Sequence, residues 1–161
     1  MANVDKQLLR DVLARHASGV SVVTTRHDGR FHGLTVSAFC GVSLEPPLVL
    51  VCVDRLTRSA AAISDSGIYA VNLIGWRHMA LADRFAGRGP LIGSSFEEAP
   101  HRTAATGAPI LEGCLAWVDC RVWATYEGGD HTIFVGQVAA AGLGSEDSAL
   151  LFFNRRFSRM T

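Results

Sequence analysis

VSVVTTRHDGRFHGLTVSAFCGVSLEPPLVLVCVD, residues 20–54, holds three strand-like runs with no helical segment between them. VSVVTTR (20–26) is β-branched, and Asp28-Gly29 after it is a two-residue hairpin signal. RFHGLTVSAF (30–39) returns from that turn. Pro46-Pro47 then predicts an extended connection, because proline fixes φ and disfavours helix, into the fully apolar strand LVLVCV (48–53). Strands joined by turns rather than by helices argue against a doubly wound parallel sheet. They favour an antiparallel barrel with helices packed outside.

The flanking sequence keeps that pattern. Residues 3–16 read as an amphipathic helix, with Asn3 as the cap and Val4, Leu8, Leu9, Val12 and Leu13 as its apolar stripe. Short helices are expected at 57–64, capped by Thr57, and at 76–87, ended by Gly87. Strands are expected at 68–74, 114–127, 131–142 and 149–153, making about seven in all, and a Gly/Pro/Ser-rich loop runs to about residue 109. In 114–127, Cys114, Ala116, Val118, Cys120, Val122 and Ala124 alternate with Trp117, Asp119, Arg121 and Trp123, which places the two sets on opposite faces. Residues 154–161 read as a basic tail. No repeat or linker divides the chain, so 1–161 is read as one mainly β domain with short helices.

Composition narrows the function. The 161 residues are 48% hydrophobic and 19% charged, enough apolar material for a packed core. Fifteen basic and fifteen acidic residues cancel, which argues against a phosphate-backbone surface and hence against nucleic acid as a partner. Near-zero charge also favours self-association. No run of about 18 apolar residues predicts a membrane span, and the N-terminus lacks a signal-peptide pattern, so a cytoplasmic protein is expected. Cys40, Cys52, Cys114 and Cys120 form no C-x-x-C pair; buried free thiols are expected, with no metal site.

Neither a G-x-G-x-x-G fingerprint nor a P-loop is present, and no G-x-S-x-G elbow supports a serine hydrolase. His27 and His32, flanking the Asp28-Gly29 turn, read as solvated turn histidines. Two stretches remain. Thr35, Ser37 and the backbone between them suit the polar edge of a flat heteroaromatic ring, with Leu34, Val36 and Phe39 giving apolar contact; the same residues also suit a plain strand with solvated hydroxyls. Asp54 is followed by RLTRSA, where the amides of a helix start, Thr57, Ser59 and Arg55 or Arg58 suit a phosphate monoester, or merely an ordinary cap. A ring at one end and a phosphate at the other is the shape of flavin mononucleotide. His131, at a strand start after Gly-Gly-Asp, and the aromatic and cationic run Phe152–Phe157 are further candidates.

The order GLTVSAF, SLEPPLVLVCVD, T-x-S, RFAG, GDHTIFVGQV, LLFFNRRF resembles the flavin reductase-like family, over residues 8 to 159. The resemblance implies an antiparallel split β-barrel that binds FMN (or FAD) as a homodimer. It implies NADH- or NADPH-dependent reduction of free flavin, supplied to a separate flavin-dependent monooxygenase. It places Thr35, Val36, Ser37 and Ala38 along the flavin ring, and Cys52, Val53 and Asp54 along the ring edge and ribityl chain. Thr57 and Ser59 would take the phosphate, and Arg84, Phe85 and Ala86 would close over the flavin. His131, Phe153, Arg155 and Arg156 would lie on the nicotinamide side. No side chain is expected to act covalently. A split-barrel flavoprotein keeping FMN for its own small substrate, and a non-catalytic flavin- or haem-binding module, are the alternatives.

Overall fold

Asp28 and Gly29 both take positive φ (48° and 71°), so the predicted hairpin forms, joining β2 (Ser21–His27) to β3 (Arg30–Val36). The computed structural model describes residues 4–88, 96, 99–145 and 148–160. The expected strand 30–39 breaks at Ser37 and Ala38, and β4 (Phe39–Leu44) begins after them. The connection at Pro46-Pro47 is a tight hairpin rather than an extended link: Glu45 and Pro46 form its turn, and Leu44 pairs with Pro47 at the start of β5 (Pro47–Asp54). Proline is tolerated there because turn positions need no ladder N–H.

The chain continues through α2 (Arg58–Ser66), β6 (Ile68–Leu73), a 3-10 turn (Trp76–His78) and α3 (Met79–Phe85). Then come β7 (His101–Thr103), β8 (Pro109–Leu111), β9 (Ala116–Gly128) and β10 (His131–Leu143). At the N-terminus α1 (Lys6–Leu13) precedes the two-residue β1 (Ser18–Gly19). Asp5 caps α1 by accepting from the Leu8 amide at 2.7 Å; Asn3, the expected cap, lies outside the described residues. The expected basic tail is partly strand: β11 (Leu150–Phe153) turns through Asn154 and Arg155, both at positive φ, into β12 (Arg156–Arg159).

Seven strands form one antiparallel sheet in the order β3-β2-β6-β9-β10-β5-β4. Its two edge strands, β3 and β4, are consecutive in sequence and separated only by Ser37 and Ala38. Two residues span at most about 10 Å between Val36 and Phe39, so the sheet curls until its edges meet, giving a barrel split at that seam. Valines 49, 51 and 53 of β5 alternate into the barrel, where they meet Val23, Val36, Tyr69, Phe134 and, from α2, Ile63. A second core of Val20, Val22, Ile74, Phe85, Phe96, Leu111 and Leu150 lies beneath α3 and the small sheet β1-β11-β12.

The alternation expected of β9 holds, with Cys120 and Asp119 on opposite faces, but both faces are covered and both residues are fully buried. The barrel core covers Cys120, while the loop before β8 covers the other face, where both the amide and hydroxyl of Thr106 donate to Asp119. Buried Asn72 fastens β8 likewise: it accepts from the Leu111 amide at 2.7 Å and donates to the Val22 carbonyl at 3.0 Å. Among the described residues, no helix is long and apolar enough to cross a membrane.

Gly136 on β10 makes room for Tyr69, whose hydroxyl donates to the Phe134 carbonyl at 3.3 Å; a Cβ at 136 would stand 2.3 Å from that oxygen. Tyr69 is fully buried and walled by strands. Gly136→Ala is therefore expected to cost about 1–3 kcal/mol through overpacking, measured as a lower urea midpoint at unchanged slope; an unchanged midpoint would show that the core yields there.

Candidate functional site

The seam at Ser37 and Ala38 opens onto a cleft of about 630 Å³, within the range of small-molecule sites. Ser37, Ala38, Phe39 and Cys40 form its floor with Leu50 of β5. Phe152 and Arg155 of the β11–β12 hairpin form one wall, and Arg10, Leu13, Ala14 and His16, on and after α1, form another. A smaller cavity of about 140 Å³ shares Ser37 and Phe152 and reaches Thr35, Val36 and Ala86. Both residues of the seam are exposed, and the Ala38 carbonyl accepts from the Cys52 amide at 3.1 Å.

From this floor a band runs along the outer face of β5. Leu50, Cys52 and Asp54 point outward, opposite to the core valines, and pair across β10 with Val135, Ile133 and His131. Leu50 to Asp54 is four residues, about 13 Å of strand. At its far end the turn into α2 is largely self-satisfied. The Thr57 hydroxyl accepts from the Ala60 amide at 3.1 Å and donates to the Asp54 carbonyl at 2.8 Å, while Asp54 Oδ1 accepts from the Leu56 amide at 2.9 Å. Thr57 is thus the helix cap. Ser59 differs: it is buried, and its hydroxyl has no hydrogen-bond partner among the described residues. The amides of Arg58 and Ser59 lie in the first turn, where no intrahelical acceptor exists.

His131 stands at the start of β10, directly opposite Asp54, with its side chain 44% exposed. Asp130 Oδ1 lies 2.7 Å from its Nδ1 and orients the ring, leaving Nε2 outward. The hydrogen bond to His131, followed by that residue's charge, holds the Asp130 carboxyl below the usual carboxylate range. Arg55 flanks the same corner, its amide donating to the Asp130 carbonyl at 3.1 Å.

Other sequence candidates sit less directly. The Thr35 hydroxyl donates to the Ala82 carbonyl at 2.6 Å, so it ties β3 to α3. Val36 and Val53 point their side chains into the barrel, leaving only backbone for a ligand. Phe85 is core, packed edge-on against Phe96, with its ring close over Gly33; Ala86 is exposed and Arg84 half-buried. Phe152 lines both cavities, whereas Phe153 and Arg156 line neither. Arg155 is ion-paired with Asp11 of α1 at 2.5 Å. Phe152, within the aromatic and cationic run that the sequence singled out, does line the cleft. Arg10, His16 and Asp130 escaped the sequence reading: the first two reach the cleft only through the packing of the two termini, though Asp130, next to His131, was legible as its partner.

The thiols divide the same way, against the expectation that all four are buried. Cys40 is exposed in the cleft, Cys52 is half-buried beside it, and Cys114 and Cys120 are buried. Burial raises the pKa of Cys52 and of Cys114; burial, then the Asp119 charge, pushes Cys120 up to about 12. A raised pKa leaves less thiolate at a given pH. At pH 8 a chromogenic disulfide reagent is therefore expected to titrate Cys40 first and Cys52 more slowly, reaching Cys114 and Cys120 only on unfolding. Rising pH should speed Cys52; a single rate for all four thiols would contradict this arrangement.

Residues 13–161 match the model of the flavin reductase like domain. The chain is 36% identical to the reductase subunit HsaB of a flavin-dependent monooxygenase from Rhodococcus jostii, covering 96% of this chain and 78% of the relative. It is 36% identical to the FMN reductase (NADH) RutF of Ancylobacter novellus, covering 96% and 84%. The solved flavin reductase PheA2 superposes with a TM-score of 0.91 at 32% identity, covering 98% of this chain and 99% of that one. By a domain model that spans residues 13–161 and relatives more than 30% identical over most of both chains, the chain belongs to the flavin reductase-like family.

Proposed function

We propose that the protein reduces free flavin, FMN in the first place, at the expense of NADH or NADPH, and that a separate monooxygenase consumes the product. The observation that carries this reading is the outer face of β5, Leu50, Cys52 and Asp54, which leads from the open seam at Ser37–Ala38 toward the start of α2, where the Ser59 hydroxyl has no partner among the described residues. An exposed two-residue break with apolar Phe39, Leu50 and Phe152 around it suits a planar ring with one polar edge. The outer face of β5 suits a chain, and Ser59 with the first amides of α2 suits a phosphate monoester.

The chemistry supplied by the bound flavin is acceptance at N5 of a hydride from the nicotinamide. The protein's share is to bind and orient. Thr35, Val36, Ser37 and Ala38 border the ring, with Thr35 and Val36 acting through backbone. Cys52, Val53 and Asp54 border the chain, and Arg84, Phe85 and Ala86 back the ring from α3. His131, held by Asp130 and opposite Asp54, and Arg155, on the cleft wall at the seam end, are the groups offered to the nicotinamide side, with Phe153 and Arg156 beside Arg155 on its hairpin. Thr57 keeps the helix start in shape rather than holding phosphate itself, since both functions of its hydroxyl are taken. The breadth of the cleft, open to solvent beside α1, supports a flavin that exchanges. Four free thiols fit a cytoplasmic location.

NADH oxidation followed by absorbance is the test, and it is expected to require added flavin. Consumption without added flavin, at a rate that flavin does not raise, would instead mean a resident prosthetic group. In the same assay Ser59→Ala is expected to raise the KM for FMN several-fold and to leave that for riboflavin unchanged, because only FMN carries the phosphate. Equal changes would remove Ser59 from the phosphate end. Thr57→Ala is the poorer probe, since loss of a cap costs about 1 kcal/mol of stability on its own account.

A homodimer completes the proposal. No residue of α1 is buried, and Leu8, Leu9 and Val12 on its apolar face are 48–59% exposed, as is Val4 just before it at 67%. An amphipathic helix with its apolar side in water calls for a covering surface, and a second copy supplies one. Light scattering is expected to give twice the chain mass, and Leu8→Glu with Val12→Glu to give the monomer; a monomeric wild type would overturn this.

A further inference from the structure

The cleft has a cationic rim of which the reading above places only Arg155. Arg10 lies in the last turn of α1, on the same face as Leu13 and Ala14, and lines the cleft with His16 and Arg155. Arg10 has no ion-pair partner among the described residues. Arg155 has one, the Asp11 carboxylate, and both side chains of that pair are 54% exposed. Asp11 also accepts from Gln7 Nε2 at 3.0 Å, and the Asn154 amide donates to the Ala14 carbonyl at 2.7 Å. The hairpin bearing Arg155 is thereby docked on the end of α1 with the rim facing the cleft.

We propose that Arg10, His16 and Arg155 receive the diphosphate of the nicotinamide dinucleotide, and that Asp11 occupies Arg155 in its place until the dinucleotide arrives. This rests on the reading of the cleft as that of a flavin reductase. The flavin phosphate is assigned to the start of α2, past the far end of the β5 stretch that leaves the cleft at Leu50, so the rim is left for another anion. A half-exposed ion pair is weak and screened by solvent. A diphosphate carries more charge than a carboxylate and binds guanidinium in bidentate fashion, so it displaces Asp11 at little cost. Asp11 is then a built-in competitor that keeps dinucleotide binding moderate and the product free to leave.

The two arginine neighbours predict opposite effects. Calorimetric titration of NAD⁺ into the FMN-saturated protein reads binding without turnover. Arg10→Gln is expected to weaken NAD⁺ by roughly three- to tenfold and to flatten its salt dependence, while Asp11→Asn tightens it by roughly two- to fivefold. FMN affinity, read separately by quenching of flavin fluorescence, should not move in either variant. Asp11→Asn that weakens NAD⁺ or leaves it unchanged would reduce the Asp11–Arg155 pair to a structural latch and overturn the competition. Arg10→Gln that weakens FAD but not NAD⁺ would assign the rim to the diphosphate of FAD, and one that weakens FMN would assign it to the flavin phosphate; either overturns the proposal. A wild-type protein that binds neither flavin nor NAD⁺ would instead mark the failure of the reductase reading itself.

Discussion

The structure depends on one connection, the two residues Ser37 and Ala38 that join the opposite edges of a seven-stranded sheet. A sheet whose outermost strands are consecutive in the chain cannot lie open, because so short a link holds its edges within about 10 Å. Curling buries Val23, Val51, Val53, Tyr69 and Phe134 on the inside. It also leaves both residues of the link exposed and outside the named strands, with only the Ala38 carbonyl tied back, to the Cys52 amide. Closure of the core and creation of the site are therefore one event.

Around that seam the packing divides labour. The inner face of β5 is valine at every second position and belongs to the barrel, while the outer face, Leu50, Cys52 and Asp54, is available to a ligand. Buried polar groups do structural work away from the cleft: Asp119 anchors Thr106, and Asn72 anchors Leu111, so the segment before β9 is pinned to the sheet's back. The cleft side carries few such ties. Its far wall is α1, which buries no residue and is held by the Arg155–Asp11 pair and one backbone hydrogen bond from Asn154. A rigid floor beneath a lightly held wall suits a site whose two nucleotides enter and leave.

Helix caps show how little separates structural from binding chemistry here. Thr57 and Ser59 are two residues apart, and both carry hydroxyls near the first turn of α2. The hydroxyl of Thr57 is committed in both directions to its own turn, whereas that of Ser59 is not. Sequence alone offered either reading for each. The two hydroxyls therefore differ in what they have left to offer, because a group already satisfied gains little from a ligand.

The sequence by itself did not determine the short strands β7 and β8, in what read as a loop, or β12, in what read as a tail. It did determine the long strands of the barrel, the Asp28-Gly29 hairpin, the capped start of α2, the family and the band of candidate residues from Thr35 to Ser59. These are local properties: β-branched runs, turn residues with positive φ and a threonine before a helix act over a few positions. Only the tertiary structure decided that 30–39 breaks at the seam, that Pro46 sits in a tight turn, and that the Asp119 face of β9 is covered as fully as the Cys120 face. It also decided that Phe85 serves the core, while Phe152, Arg10 and His16 face the cleft. Those outcomes depend on which distant segment covers which face, since a strand's pattern shows that a face is covered but not by what. The cleft wall joins residues 10–16 to 152–155, and that contact exists only once the barrel has brought the two ends of the chain together.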